Sequence, residues 1–196
     1  MKEYFLSASI VVFLSLLSAT GYGQRFLGGL VAGINLSQLD GDQLAGYNKV
    51  GFSTGARVST VLSERWRLNI ELLFSQQGSS RSNKDAPFAT YDNIKLNFVE
   101  VPVLINFIDW KLHFHTGLSY HRLINFTAED QLGTDLSDQL IYNSNNLAVV
   151  LGATYFKNEH WGFDMRWSKA LLDLEGNTNN GRLIGKWITF RTVYVF

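Results

Sequence analysis

Apolar side chains alternate with small or polar ones along most of the chain after residue 24, and this two-residue period constrains the fold more than any other feature. Between residues 51 and 62 the even positions are mostly apolar, whereas the odd positions from 53 to 59 are Ser, Gly, Arg and Ser. Successive side chains of a β-strand point to opposite faces, so this pattern indicates strands. No comparable 3.6-residue stripe follows residue 24. The chain is therefore predicted to be all-β.

About eight strands are predicted, and the segments between them alternate in length. The strands are expected near residues 26–36, 51–62, 66–77, 97–107, 110–122, 146–156, 161–170 and 183–196. The connections near residues 37–49, 78–93, 123–145 and 171–182 are long and rich in Asn, Asp, Gly and Ser, whereas those at 63–65, 108–109 and 157–160 are tight. This arrangement is typical of an antiparallel up-and-down meander with long loops at one end and short turns at the other.

The first 23 residues have the layout of a secretory signal peptide. Lys2 precedes an apolar run from Phe5 to Leu17, and the small residues of Gly21-Tyr22-Gly23 follow. The run is shorter than the ~20 residues that a spanning helix needs. We therefore expect residues 1–23 to be removed on export and residues 24–196 to form the barrel domain. Because 17 basic residues balance 17 acidic ones, no net field attracts nucleic acid, and no such partner is expected.

The volumes of the two strand faces indicate which one points outward. The polar face carries many Gly and Ser residues, while the other face is bulky almost throughout. An eight-stranded barrel is only wide enough for side chains to fill it, so the small residues belong inside. Within the clearest strands the bulky face carries one charge, Lys169, and a Lys or Arg at a bilayer midplane would cost about 2–4 kcal/mol.

These features favour an eight-stranded antiparallel up-and-down transmembrane β-barrel that is inside out, with an apolar exterior and a small, polar lumen. A soluble lipocalin-like barrel is the alternative. Six aromatic residues of the bulky face lie toward the two predicted rims, where transmembrane barrels carry an interfacial girdle. They are Trp66, Trp110 and Trp161, each after a tight turn, and Phe74, Tyr120 and Trp167 toward the long loops.

Charged side chains of the polar face are predicted to meet in the lumen. They are Arg57, Glu71, Glu100, Lys111, Asp164, Arg166 and Arg191. Keeping both apolar faces outward at the 63–65 turn favours Leu62 opposite Trp66, a register that sets Arg57 across from Glu71. A bidentate Arg partner would satisfy the buried carboxylate. We interpret the set as a salt-bridged plug, because narrow barrels are packed. A charge relay or an ion pathway is the alternative.

Three of the four histidines lie on one predicted strand face, and two of them suggest a metal site. His113 and His115 would need at least a third ligand to hold zinc. One hairpin register places Glu100 opposite Gly117 and diagonal to His115. His113, His115 and Glu100 are therefore a weak candidate for a zinc site. We favour lumenal histidines that share hydrogen bonds with Glu100 and Lys111, and we expect no metal or cofactor.

A catalytic set is the other chemical hypothesis. Ser119 and His121 share a face near the long-loop rim, and Asp130 or Asp135 from the next loop would complete the set. No G-x-S-x-G turn or H-E-x-x-H helix accompanies them. The protein is therefore expected not to be an enzyme, with a lipid hydrolase or acyltransferase as the alternative. The acidic stretch 129–138 is interpreted as a solvated surface, although ligand binding concentrates in such loops.

The run NFVEVPVLIN, residues 97–106, has Glu-x-Pro inside a strand and resembles the central motif of the PorT-like outer-membrane β-barrel family. GINLSQLDGD (33–42), GFSTGARV (51–58) and ELLFSQQGS (71–79) are similar to the first three strands of that family, in the same order. A proline within a strand loses a ladder hydrogen bond, so we expect a bulge near Glu100 to Pro102.

The resemblance implies an eight-stranded barrel in the outer membrane of a Gram-negative bacterium, surrounded by outer-membrane lipid and inserted by the barrel-assembly machinery. The terminal Phe196 is similar to the C-terminal insertion signal of such proteins. We expect a structural or interaction scaffold that presents extracellular loops to an unidentified ligand or protein. The founding member of the family is associated with type IX secretion and gliding, so a role in that machinery is one alternative. A lipid-modifying enzyme and a metal-binding barrel are the others.

Overall fold

Eight antiparallel strands form a closed barrel in the computed structural model, which describes residues 26–42, 44, 46–82, 91–176 and 182–196. The predicted signal peptide, residues 1–23, lies outside the described residues. Each strand pairs with the next, and β1 pairs with β8 to close the sheet. The strands are β1 (Phe26–Asp40), β2 (Lys49–Val61), β3 (Trp66–Ser80), β4 (Asn93–Asp109), β5 (Leu112–Glu129), β6 (Asn145–Phe156), β7 (Trp161–Ala170) and β8 (Ile184–Val195), and a 3₁₀ turn covers Ser137–Gln139.

The barrel is inside out, as the alternating pattern predicts. Along β7, Phe163 and Met165 are exposed, whereas Asp164 and Arg166, which alternate with them, are buried. The same alternation runs through β2 and β3, where large apolar side chains face outward and polar ones face the lumen. A strand exposes one face and buries the other, so this arrangement suits a lipid exterior. Within the described residues no helix is long and apolar enough to cross a membrane.

Glycines of the inward face allow the strands to pack closely around a narrow lumen. A Cβ added at Gly117 would lie 2.0 Å from the carbonyl oxygen of Val103, and one added at Gly55 would lie 2.1 Å from that of Leu72. Both contacts are with backbone atoms of the neighbouring strand, which cannot move aside alone. These positions therefore require glycine for packing.

Strands β4 and β5 extend beyond the apolar band at the long-loop end. They have 17 and 18 residues, whereas β7 has 10, and about 9–11 residues suffice to cross a bilayer. In the extension the polarity of β4 inverts, because Lys95 and Asn97 face outward while Leu96 and Phe98 are buried inside. A register shift between Asn97 and Phe98 marks this boundary.

An apolar cluster fills the extension, and we call it the cap. Its buried members are Leu39, Ile94, Leu96, Phe98, Ala128, Tyr142, Leu174 and Leu183. The loop after β5 and the loop after β7 join it through a bridge between Tyr142 and Glu175. The Asn143 side chain adds hydrogen bonds of 3.0 and 3.1 Å to the backbone oxygens of Asp173 and Glu175. The described parts of the loops after β5 and β7 are therefore packed over the barrel end.

Two predictions about β4 were wrong. The tight turn lies at Trp110 and Lys111, not at residues 108–109, since Asp109 pairs with Leu112 and Trp110 has a φ of 55°. No bulge occurs near Pro102, because the β3–β4 register is the same on both sides of it. Pro102 only lacks an N–H to donate, and a missing donor needs no extra residue. The irregularity lies instead opposite Asn97 and Phe98, which pair with Asn125 and Leu123 and leave Ile124 of β5 as the extra residue.

Candidate functional site

The centre of the lumen holds a buried network of ion pairs around Glu71. This carboxylate accepts two hydrogen bonds from Arg166, at 2.9 and 2.7 Å, and a third from Arg191 at 3.1 Å. The arginines reach it from β7 and β8, across the lumen from β3. A bidentate guanidinium fork matches a carboxylate in geometry and charge. Glu71 therefore ties opposite walls of the barrel together.

Asp164 is the second carboxylate of this network. Arg191 donates to it from Nε at 3.0 Å and from Nη2 at 2.5 Å, and the Thr154 hydroxyl donates at 3.1 Å. Nε of Arg166 lies 2.8 Å from the same carboxylate, and Nε2 of His115 lies 3.5 Å from it. Two arginines thus bridge both acids, which compensates the charges where water is excluded.

Arg57 occupies the predicted register but not the predicted ion pair. Its Cα pairs with that of Glu71, as expected from the Leu62–Trp66 hairpin. No hydrogen bond joins the two side chains, and the Arg57 guanidinium instead donates to the Ser59 hydroxyl at 3.5 Å. The physical reason is that the guanidinium groups of Arg166 and Arg191, from the opposite wall, already bind the Glu71 carboxylate. Arg57 is 5% exposed, and its Nε and Nη1 atoms have no hydrogen-bond partner.

Glu100 lies nearer the cap, in a separate polar layer. Gln77 donates to it at 2.6 Å, and Nδ1 of His121 lies 3.3 Å away. The predicted register with Gly117 was wrong, because Glu100 pairs with His121, four residues further along β5. The corrected turn at Trp110 and Lys111 causes this shift.

The weak metal candidate is therefore not assembled as predicted. Glu100 contacts His121, whereas His115 lies beside Asp164 and the His113 ring packs at a tilt against Phe156 with ring centroids 4.5 Å apart. Over the described ranges no three His, Asp or Glu side chains form a group that could hold a metal ion.

The four residues of the catalytic hypothesis fall into two places. Ser119 and His121 are buried in the lumen, at 0% and 2% exposure. Asp130 and Asp135 lie in the loop after β5, where hydrogen bonds from loop groups lower both pKa values. For Asp130 the largest cause is the backbone N–H of Thr134. These hydrogen bonds shape the loop, and nothing brings the aspartates to His121.

His121 instead packs between aromatic rings. It makes edge contacts with Trp187 and Phe98, with centroids 5.1 and 5.8 Å apart. Trp187 is buried on the otherwise largely polar inward face of β8, and this contact accounts for its position. The cavity beside these rings has a volume of about 10 Å³, which is space for about one water molecule.

Sequence reasoning missed a further polar layer. The Asn35 side chain donates to Ser75 at 2.8 Å and accepts from Thr189 at 2.8 Å, which links β1, β3 and β8. All three residues are buried. Each falls on the inward face of its strand, so the alternation could have identified them. With the two charged layers they pack the lumen from wall to wall.

The remaining predicted residues lie at the barrel surface or its ends. Lys111 was wrongly placed in the lumen: it is exposed in the β4–β5 turn, with its ammonium 5.3 Å from the Trp110 ring centroid. The six girdle residues lie on the exterior or in that turn, and Trp110 is 78% exposed. Their role at the membrane interfaces stays a prediction. Phe196 is exposed and contacts the ring of Tyr194.

An apolar exterior, a polar packed interior and short turns opposite long loops define a small transmembrane β-barrel of the outer-membrane type. The chain belongs to the family described as outer membrane protein beta-barrel domain, whose model matches residues 18–175. Outer-membrane localisation follows from this family.

Several solved structures are similar to the chain, and they include the following two. One is Neisserial surface protein A (NspA), at 13% identity and a TM-score of 0.54, covering 89% of this chain and 99% of that one. The other is Ail, the attachment invasion locus protein of Yersinia pestis, at 13% identity and a TM-score of 0.54, covering 88% and 99%. At this identity the likeness shows the fold alone. No curated protein matches the sequence.

Proposed function

We propose that the protein is a structural or interaction scaffold of the outer membrane that holds its extracellular loops in place for a partner. The observation that carries this proposal is the cap. Strand ends and two long loops share one apolar cluster at the end of the barrel that faces outward in this class. A loop that is already ordered loses less conformational entropy on binding, which favours recognition.

The loops expose apolar side chains above this core. Leu132 is 91% exposed and Ile141 is 69% exposed. The turn around Leu132 is held by the Asp130 carboxylate, which accepts the backbone N–H groups of Leu132 and Thr134 at 2.8 Å each. Apolar groups presented to water on ordered backbone are typical of contact surfaces. We propose that Leu132 and Ile141 contact the partner.

Photo-crosslinking on intact cells tests this role. A photoreactive residue at position 132 or 141 is expected to give discrete adducts with a surface partner. The matched control is position 64, because Glu64 is exposed in the β2–β3 turn at the opposite end. If neither loop position gives an adduct that position 64 lacks, the scaffold proposal is wrong.

We propose further that the role is neither transport nor catalysis. The packed polar layers support a closed lumen, and the burial of Ser119 and His121 supports the absence of a hydrolytic site. Planar bilayers containing the protein are expected to show no single-channel steps. Lipid A of a deletion strain is expected to have the same mass as that of the wild type. A conducting barrel or a changed lipid mass would contradict these expectations.

The finer relationship to the PorT-like group rests on the four sequence motifs. If the chain serves type IX secretion or gliding, a deletion strain loses a secreted cargo or motility, while a scaffold outside that machinery leaves both unchanged. Insertion by the barrel-assembly machinery through Phe196 belongs to the same proposal. Removing Phe196 is expected to lower the folded fraction in cells, measured by heat-modifiable gel mobility.

A further inference from the structure

The short-turn end of the lumen opens into a cavity of about 580 Å³. We call it the vestibule, and it lies opposite the cap. Its walls come from β3, β5, the β4–β5 and β6–β7 turns and the end of β8. The polar wall residues used below are Arg67, Lys111, His113, Lys157 and Glu159. In outer-membrane barrels this end faces the periplasm.

The side chains of the vestibule are predominantly cationic. Arg67, Lys111 and Lys157 line it, whereas Glu159 is the one carboxylate side chain among its lining residues. Across the part of the chain that the structure describes, none of the three cations forms a salt bridge. The Nε atom of Arg67 is buried and has no hydrogen-bond partner. A buried guanidinium N–H without an acceptor is costly, so an acceptor in the vestibule would be stabilising.

A second unpartnered guanidinium lies deeper in the lumen. Arg57 is nine-tenths buried or more, and its Nε and Nη1 atoms lack acceptors. Its contact with Ser59, two residues nearer the β2–β3 turn, directs the guanidinium toward the vestibule end. The two neighbouring carboxylates, Glu71 and Asp164, are both occupied by other arginines. Arg57 is therefore a buried cation that makes no direct ion pair with either acid.

His113 is a further polar residue of the vestibule wall. It is buried on β5 and lines the vestibule together with Arg67. One imidazole face is covered by Phe156, which leaves the ring nitrogens to meet polar groups at its edge. The Arg67 guanidinium and the His113 imidazole thus line a space that neither Glu71 nor Asp164 lines, while the Arg57 guanidinium lies deeper in the lumen.

We propose that the vestibule binds a phosphate-type oxyanion, with Arg67 and His113 as direct ligands and Arg57 as the deeper cation. A guanidinium fork matches the geometry of phosphate oxygens and can bind two of them. Exposed Lys111 and Lys157 at the rim would attract the anion. The phosphate belongs to a free ion or to a phospholipid headgroup of the surrounding leaflet, and the experiment separates these sources.

The test is calorimetric titration of the refolded barrel in neutral detergent, in chloride buffer of constant ionic strength. Inorganic phosphate is the first probe, and phosphatidylglycerol in mixed micelles, against diacylglycerol without phosphate, is the second. We expect saturable one-to-one binding of at least one phosphate probe. Loss of a hydrogen bond to a charged group weakens binding about tenfold or more, and this is expected for Arg67→Gln.

The control is Arg65→Gln, which removes a neighbouring charge that does not line the vestibule, and it is expected to bind like the wild type. Lys111→Gln is a milder variant of an exposed lining residue, and it keeps the test valid if Arg67→Gln fails to fold. Heat-modifiable gel mobility confirms folding of each variant. Binding of phosphatidylglycerol alone, with the same variant losses, assigns the site to lipid. If neither probe binds, or if both vestibule variants bind as tightly as the wild type, the proposal is overturned.

Discussion

Replacing Glu71 by Gln tests how much the lumenal ion network stabilises the barrel. Glu71 is 1% exposed and accepts three hydrogen bonds from Arg166 and Arg191. Gln keeps the size of the side chain but removes its charge, which leaves these arginines and Arg57 with Asp164 as their remaining acid. Removing one partner of a buried ion pair costs about 3–5 kcal/mol. We expect the free energy of unfolding to fall by about this amount.

Urea titration of the barrel in lipid vesicles measures this change. The five tryptophans provide the fluorescence signal, and an unchanged m value confirms that the folded and unfolded states are comparable. Glu64→Gln is the matched control, because Glu64 is exposed in a turn, and a surface change costs within about 0.5 kcal/mol. The double variant Glu71→Gln/Arg166→Gln is expected to lose less than the sum of its single changes, since it removes opposite charges together. If Glu71→Gln loses no more than Glu64→Gln, the account of the plug is refuted.

Three further predictions use positions outside this network. Leu151, in the middle of β6, is 48% exposed on the exterior, so Leu151→Arg is expected to lower the free energy of unfolding by about 2–4 kcal/mol. Asn125 lies beyond the apolar band, so Asn125→Arg is expected to cost only about 0–1 kcal/mol. Equal losses for the two variants would contradict the position of the membrane boundary. Gly117→Ala is expected to cost about 1–3 kcal/mol through overpacking, whereas Gly185→Ala, whose added Cβ lies 3.7 Å from its nearest neighbours, should be nearly neutral in the same titration. The backbone N–H of Thr134 is the largest cause that lowers the pKa of Asp130 below its ordinary value. The contribution of this carboxylate to loop order is therefore present above the ordinary value and is lost as pH falls through the lowered pKa. The protection of the Thr134 amide against exchange, relative to an unfolded peptide at the same pH, is expected to fall over that acidic window, and Asp130→Ala should remove this pH dependence.

The alternation of side chains is sufficient to predict the class of fold. Ile70 and Glu71 must face opposite sides of the sheet, and only a lipid exterior accommodates the bulky set outside with the carboxylate inside. The β2–β3 register was also predictable, because shifting it by one residue would expose Arg57 to lipid. Local periodicity carries this information, so no tertiary contact was needed.

The partners of the charged residues could not be predicted in the same way. Glu71 binds Arg166, 95 residues away, across the closed lumen. Strand pattern fixes which face a side chain occupies, but not which opposite wall it reaches. The predicted register of the β4–β5 hairpin was wrong for a local reason. Trp110 continues the alternation of β5, yet it adopts a φ of 55° in the turn. The turn also has no Asn-Gly or Asp-Gly pair to mark its position in the sequence.

The cap was missed because polarity inverts beyond the membrane. Leu96 and Phe98 face inward in the extension, where water surrounds the strands and the apolar side must turn inside. A single uniform pattern therefore predicts that β4 begins at Asn97, whereas the observed strand begins four residues earlier, at Asn93. The inversion itself is a usable sequence signal for the membrane boundary.

Quenching of single tryptophans by brominated lipid tests the orientation of the barrel wall most directly. Trp167, on β7, is 37% exposed on the barrel exterior, whereas Trp187, on the neighbouring strand β8, faces the lumen and is 4% exposed. Variants that keep one of these tryptophans, with the other four replaced by Phe, are reconstituted in vesicles with bromines along the acyl chains. Strong quenching of Trp167 and little quenching of Trp187 is the predicted result. Equal quenching of the two, or quenching of Trp167 by aqueous iodide alone, would contradict a barrel that is apolar outside and polar within.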